Sequence, residues 1–246
     1  MEKLQYLGQK MKIYVSEIHR YGTDAVLLAD FSMPKNGDKA CDFGTGCGII
    51  PLMWRLNGSK CDITAVDISR DACLLAEKSV SENGLKDIKI INGDLRNPKT
   101  VEGSGVFDVI SMNPPYKAAT DGVMSENPER RTARHEVECT IEDLCAAAAR
   151  LLRFGGKLCI CQRPERLADI ICAMRAAKIE PKRLRLVCQR RGGVPKLILV
   201  EGRLGSKSGL AHMPPLYIEN DDGGVSDEIA RIYGEYYIES GDKNER

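Results

Sequence analysis

From residue 38 onward, short apolar runs alternate with longer stretches of helical spacing. "DKACDF" (38–43) predicts a strand, and a glycine-rich turn follows it. "IIPLMWRLN" (49–57) predicts a helix closed by Asn57-Gly58, with Trp54 on its apolar side as a core residue. "CDITAVD" (61–67) predicts a second strand, and "SRDACLLAEKSVSENG" (69–84) an amphipathic helix opened by a serine cap. "DIKIIN" (87–92) and "VFDVISM" (106–112) predict the third and fourth strands. "TIEDLCAAAARLL" (140–152) predicts a helix with Thr140 and Asp143 at capping-box spacing, stopped by Gly155-Gly156. "KLCICQ" (157–162) is a fifth strand and "PERLADIICAMRAA" (164–177) a helix with proline in its first turn. "PKRLRLVCQ" (181–189) and "PKLILVEG" (195–202) are two strands spaced to pair as an antiparallel hairpin. Such alternation implies a mostly parallel sheet with helices on both faces, hence an α/β fold. Residues 1–37 are expected to form an N-terminal extension, and 204–246 a glycine-rich, then acidic, C-terminal tail that is loosely attached or partly ordered.

Composition is that of an ordinary globular chain, and a net charge of +1 argues neither for nor against a nucleic-acid partner. The distribution of charge says more. Residues 128–203 carry 17 Lys and Arg against 9 Asp and Glu, whereas 211–246 carry 3 against 9. Ten cysteines lack any Cys-x-x-Cys pair and sit mostly in apolar runs, so they read as buried free thiols of a reducing cytosol rather than a metal site. No signal peptide or long apolar span is visible, and the expected location is the cytoplasm, away from any membrane.

The chemistry concentrates after the strands. Residues 42–48 read Asp-Phe-Gly-Thr-Gly-Cys-Gly, between a strand and a helix. Glycines let a ligand approach the backbone, and a helix N-terminus supplies free N–H groups. A dinucleotide fingerprint would place a glycine where Ile49 stands, so Gly44, Gly46 and Gly48 suit a ligand without pyrophosphate. Asp67 ends the second strand, where a carboxylate can accept from ribose hydroxyls. Asp94 can meet an adenine amino group, and Asp42 an ammonium. Ile68 and Leu95, the apolar neighbours of Asp67 and Asp94, complete the candidate set. Three carboxylates at successive strand ends suit a nucleoside that also carries positive charge, as S-adenosylmethionine does. Each can also be a plain cap or turn residue.

The fourth strand ends on Asn113-Pro114-Pro115-Tyr116, 69 residues after Gly44. Two prolines stop the strand and stiffen the turn. The Asn113 side-chain oxygen and the Pro114 carbonyl can accept from an amino group, and Tyr116 offers a ring for a flipped base.

Together "DFGTGCG", "AVD", "NGDLR" and "NPPY" resemble the class I methyltransferases that use S-adenosylmethionine and methylate an exocyclic amino or amide nitrogen. The flanking "HRYGTDAVLLADF" (19–31) and "RRTARHE" (130–136) resemble the tRNA valine adenine-37 N6-methyltransferase family in particular. That resemblance implies a Rossmann-like, seven-stranded sheet with an antiparallel last strand, filling residues 38–203. It implies an N-terminal extension on the cofactor side, with Gly22, Thr23 and Asp24 beside the cofactor, and a tRNA substrate rather than DNA. RNA contacts are expected from Arg130, Arg131 and Arg134, and from Lys182, Arg183, Arg190 and Arg191 in the basic stretch 181–196. His135 reads as a structural hydrogen-bonder before an acid or base. A protein glutamine methyltransferase shares the Asn-Pro-Pro-Tyr pattern but is expected to carry a helical domain before the fold. A catalytically silent RNA-binding protein would not need Asn113 and Tyr116. The sequence leaves the oligomeric state open, with a monomer as default.

Overall fold

The computed structural model describes residues 2–8, 11–114 and 139–234. Central strands β3 (Lys39–Phe43), β4 (Asp62–Asp67) and β6 (Phe107–Met112) are apolar and buried along most of their length, as strands covered on both faces must be. They pair in parallel with one another and with β5 (Ile88–Asn92) and β7 (Leu152–Gln162). β8 (Ile179–Cys188) and β9 (Pro195–Leu204) form the expected hairpin, and β9 inserts antiparallel between β7 and β8. The order β8-β9-β7-β6-β3-β4-β5 is the seven-stranded sheet that the resemblance implied.

Alternation along each strand divides the core into two. In β7, Cys159 and Cys161 enter one cluster while Leu158 and Ile160 enter the other. The first cluster holds α1 (Thr23–Ser32), α2 (Ile49–Leu56) and α3 (Arg70–Glu82) against the sheet. The second holds α4 (Ile141–Leu151) and α5 (Leu167–Ala176). Thr140 and Asp143 close the predicted capping box at the start of α4. Trp54 is fully buried and donates from Nε1 to the Ala29 carbonyl at 3.1 Å and to Ser32 Oγ at 3.2 Å, which clamps α2 to α1. All ten cysteines are free thiols, and eight of them are buried.

Three expectations need correction. The N-terminal extension contains a hairpin, β1 (Lys3–Leu7) and β2 (Met11–Val15), that the pattern reading left out. Asn83 and Ser79 of α3 accept from the Lys12 and Tyr14 backbone N–H groups at 2.8 and 2.9 Å, so β2 is held by a helix 65 to 71 residues away. Gly155-Gly156 does not stop the chain before β7. The strand runs through both glycines with a register shift against β6, and a Cβ on Gly156 would lie 3.0 Å from the Phe107 carbonyl.

The third correction concerns the tail. Short strands β10 (Ala211–His212) and β11 (Leu216–Tyr217) add to β8, and α6 (Asp227–Tyr233) packs Ile229 and Ile232 into the core. Its Glu228 receives the almost buried Arg185 guanidinium at 2.8 and 2.6 Å, so acidic residues here neutralise a buried cation. Residues 205–234 are therefore folded onto the sheet rather than loosely attached.

Candidate active site

Four parallel strands end at one edge of the sheet, on Phe43, Asp67, Asn92 and Met112. The chain order reverses there between β3 and β6, and such a crevice is where open α/β sheets bind ligands. The glycine-rich turn spans the end of β3. Gly44, Gly46 and Gly48 all have positive φ, at 67°, 58° and 86°. A Cβ on Gly44 or Gly46 would meet open space, whereas one on Gly48 would lie 3.2 Å from Ala76 Cβ of α3. Two of these glycines thus leave an approach to bare backbone, and the third lets two helices meet.

Asp67 closes this loop from β4. Its Oδ2 accepts from Gly46 N at 2.8 Å and its Oδ1 from Ser69 N at 2.9 Å, leaving lone pairs on both oxygens for a further donor. Asn92 donates to the Asp67 and Ile68 carbonyls at 3.0 and 2.9 Å and fixes the turn. Ile68 stands exposed beside it, and Leu95 packs against the second core cluster. His19 reaches the same corner, 3.3 Å from Ser69 Oγ. Sequence reading missed Asn92, Ser69 and His19, whose roles depend on contacts across 24 to 50 residues.

Asp42 lies beneath the loop and is 1% exposed. Its Oδ1 accepts from Ser111 Oγ at 2.6 Å across the β3–β6 pair, and Oδ2 is buried without a partner among the described residues. Burial pushes its pKa from 3.8 up to about 7, against the smaller opposing pull of the Ser111 and Thr45 hydroxyls. The folded chain thus holds this proton more tightly than the unfolded chain. Below about pH 4 both states are protonated; between 4 and 7 only the unfolded state ionises, so stability falls as pH rises and levels off above 7. Asp42→Asn should remove that fall, and the gain in melting temperature over the parent should grow from pH 4 to pH 7. At about 1.4 kcal/mol per tenfold change in proton affinity, the plateau is on the order of 4 kcal/mol. A gain independent of pH would place the proton elsewhere.

Asp94 is likewise engaged: Arg96 donates to both its oxygens, at 2.6 to 3.0 Å, and holds its carboxyl below the usual range. The expected adenine contact would have to displace Arg96.

At the end of β6, Asn113 turns its amide toward α1. Nδ2 donates to Asp24 Oδ2 at 2.8 Å, while Oδ1 is buried with no partner among the described residues. Gly22 caps α1 and Thr23 begins it, so Asp24 lies in the first turn. The neighbouring Pro114 carbonyl accepts from Gln162 Nε2 at 3.4 Å, from the end of β7. Pro115, Tyr116, Arg130, Arg131, Arg134 and His135 lie outside the described residues.

The basic set divides in two. β8 runs parallel to β7, so its end and the turn bearing Arg190 and Arg191 lie at the same sheet edge as Asn113. Both arginines are exposed, Arg190 on Glu219 and Arg191 over the Tyr217 ring. Lys182 and Arg183 lie toward the opposite edge, roughly 20 Å away along the strand. Arg183 binds buried Glu201 at 2.9 and 2.6 Å, and Lys182 donates to the Lys207 carbonyl. Arg183 therefore neutralises a buried carboxylate.

Residues 14–170 match the sequence model of the methyltransferase small domain family, and the chain belongs to that family. Among its relatives, a protein of Tolumonas auensis named tRNA1(Val) (adenine(37)-N6)-methyltransferase is 28% identical over 221 residues, 89% of this chain and 90% of that one. A protein of the same name from Bacteroides thetaiotaomicron is 28% identical over 222 residues, with 89% and 90% covered. The crystal structure of a predicted O-methyltransferase from Agrobacterium tumefaciens superimposes with a TM-score of 0.73 at 20% identity, covering 87% of this chain and 97% of that one. Geranyl diphosphate methyltransferase in complex with SAM gives 0.54 at 14%, with 73% and 83% covered. At such identities the two structures speak for the fold alone.

Proposed function

We propose that this chain methylates the exocyclic N6 amino group of adenine 37 in valine tRNA, using S-adenosylmethionine. The observation that carries the reading is the Asn113 side-chain oxygen, buried and without a partner among the described residues at the carboxyl edge of the sheet. A buried acceptor left open costs about 1–3 kcal/mol, so this one suits a donor that arrives with the substrate. The relatives named above match almost all of the chain, which supports the choice of base and tRNA.

The residues present fit the cofactor. Gly44 and Gly46 leave backbone open, Asp67 keeps lone pairs for a diol, and exposed Ile68 offers an apolar cover. When bound, S-adenosylmethionine supplies a methyl group on a positively charged sulfur. The chain's own task is positioning and electrostatics. An adenine amino nitrogen is a poor nucleophile because its lone pair is delocalised into the ring. Asn113 Oδ1 and the Pro114 carbonyl, each accepting one amino hydrogen, pull the nitrogen toward tetrahedral geometry and free its lone pair from the ring, and the proton leaves after transfer. Tyr116, from the sequence, would stack the flipped base, at about 1–3 kcal/mol. An anticodon-loop adenine is cheap to splay out because it has no partner strand. Such an enzyme works in the cytoplasm; among the described residues no helix is long and apolar enough to cross a membrane.

The test is transfer of labelled methyl from the cofactor to purified valine tRNA, to the same tRNA with guanine at 37, and to a release-factor protein. Labelling of the first alone is expected. Labelling of the protein would favour glutamine methylation, whose amide N–H groups the same acceptors could take. Undiminished labelling of the guanine variant would move the target.

Arg190 and Arg191 are the phosphate contacts expected on this edge. Replacing both with Ala should flatten the log–log salt dependence of tRNA binding by about 0.7–0.9 per lost contact. Lys182→Ala should leave it unchanged. The reverse pattern, read by filter binding across a salt series, would put the RNA on the opposite edge.

A further inference from the structure

An amide side chain can show a substrate either an oxygen that accepts or a nitrogen that donates, and the two look alike in size. Around Asn113 one neighbour decides. An ionised carboxylate has no hydrogen to give, so Asp24 can receive only the nitrogen of the amide. The 2.8 Å bond from Asn113 Nδ2 to Asp24 Oδ2 therefore leaves Oδ1 on the other side. That oxygen is the one buried without a partner among the described residues. A flipped amide would set two oxygens against each other and leave its N–H groups where Oδ1 now waits.

Gly22 keeps Asp24 in this place. Its backbone, at φ −122°, is one that any residue adopts, so the glycine is not there for conformational freedom. A Cβ at this position would lie 2.5 Å from Asp24 Oδ1, too close for any carbon. The absent side chain at 22 is room for the carboxylate.

We infer that Asp24 gives the site its sense: by taking the Asn113 amide nitrogen it turns the amide oxygen to the substrate, so the site accepts a nitrogen that bears hydrogens and rejects a carbonyl in its place. This rests on the reading of an amino-group substrate given above. Asp24 is thus a positioning residue acting through Asn113, and the preference for adenine over guanine at the target is written partly in α1. Adenine offers N–H groups at its six position, whereas guanine offers a carbonyl oxygen.

Steady-state kinetics on valine tRNA, with cofactor affinity measured by calorimetry, test the inference. D24N replaces the acceptor-only group with one that can also donate, so Asn113 loses its single orientation. Its kcat should fall about tenfold or more, with cofactor affinity within threefold of the parent. Guanine-37 tRNA should inhibit the parent weakly and D24N more strongly. Gly22→Ala should reproduce this pattern by displacing the carboxylate. N113D sets two carboxylates together, one of which must hold a proton, so its kcat should acquire a new pH dependence. The exchanged pair, D24N with N113D, again sets one donor against one carboxylate and leaves an acceptor toward the substrate. It should recover at least tenfold over D24N. In 15N-labelled enzyme the Asn113 side-chain amide protons should exchange slowly with solvent, and fast in Asp24→Ala. Parental kcat in D24N, a loss carried wholly by cofactor affinity, no recovery in the exchanged pair, or equal amide exchange would each overturn the inference. If the parent enzyme labels no valine tRNA, the substrate reading falls, and amide exchange alone decides the role of Asp24.

Discussion

Asn113→Ala lowers turnover by about 10²-fold or more and leaves cofactor affinity within a factor of about three. The expectation follows from where its oxygen is. Oδ1 has no partner among the described residues, and the interaction proposed for it is with the substrate, where it strengthens as the amino nitrogen takes on tetrahedral character. Removing an acceptor of this kind raises the barrier without weakening ground-state binding by the same amount. Single-turnover methyl transfer, alongside calorimetry of cofactor binding, separates the two effects. Near-parental turnover would defeat activation of the amino group by this amide. A matching loss of cofactor affinity would instead make Asn113 a cofactor ligand.

Trp54→Ala is expected to cost about 3–5 kcal/mol of stability, a large share of the roughly 5–15 that folded domains possess. The side chain is fully buried between α1 and α2, and its indole N–H serves both the Ala29 carbonyl and Ser32 Oγ. Truncation leaves a cavity and frees the end of α1, the helix whose first turn carries Asp24. Denaturant unfolding should show the loss, and turnover per folded molecule should also drop. A loss under 1 kcal/mol would mean that the neighbouring apolar side chains collapse into the space, and that the clamp between the helices is incidental.

Much of the parallel sheet could be read from the chain because its signals are local. A strand buried on both faces is a continuous apolar run, so β3, β4 and β6 announce themselves within six residues. The capping box of α4 and the serine cap of α3 need only a few neighbours. β2 was missed because five residues of weak alternation become a strand only when Asn83 and Ser79 of a distant helix accept its N–H groups. The order in the tail was left open for a related reason. Acidic composition looks solvated until the buried Arg185 that Glu228 neutralises is known. Gly155-Gly156 resembled a stop because glycine breaks strands as a rule, whereas here Gly156 admits the Phe107 carbonyl.

The site shows the same boundary. Residue types and spacing alone named the glycine loop, Asp67 and the Asn113 turn, since those chemistries need particular side chains at strand ends. Which partner each would take was decided only by the fold. Asp42 and Ser111 stand on adjacent strands, and burial there raises the Asp42 pKa to about 7. Arg183 and Arg190 read alike in sequence, yet strand direction sends one to the active-site edge and the other to Glu201. The contact between Asp24 and Asn113 spans 89 residues, and no local pattern encodes it. Composition and periodicity determine what a segment can form. Which two segments meet depends on the summed burial of all of them, and that sum exists only in the folded chain.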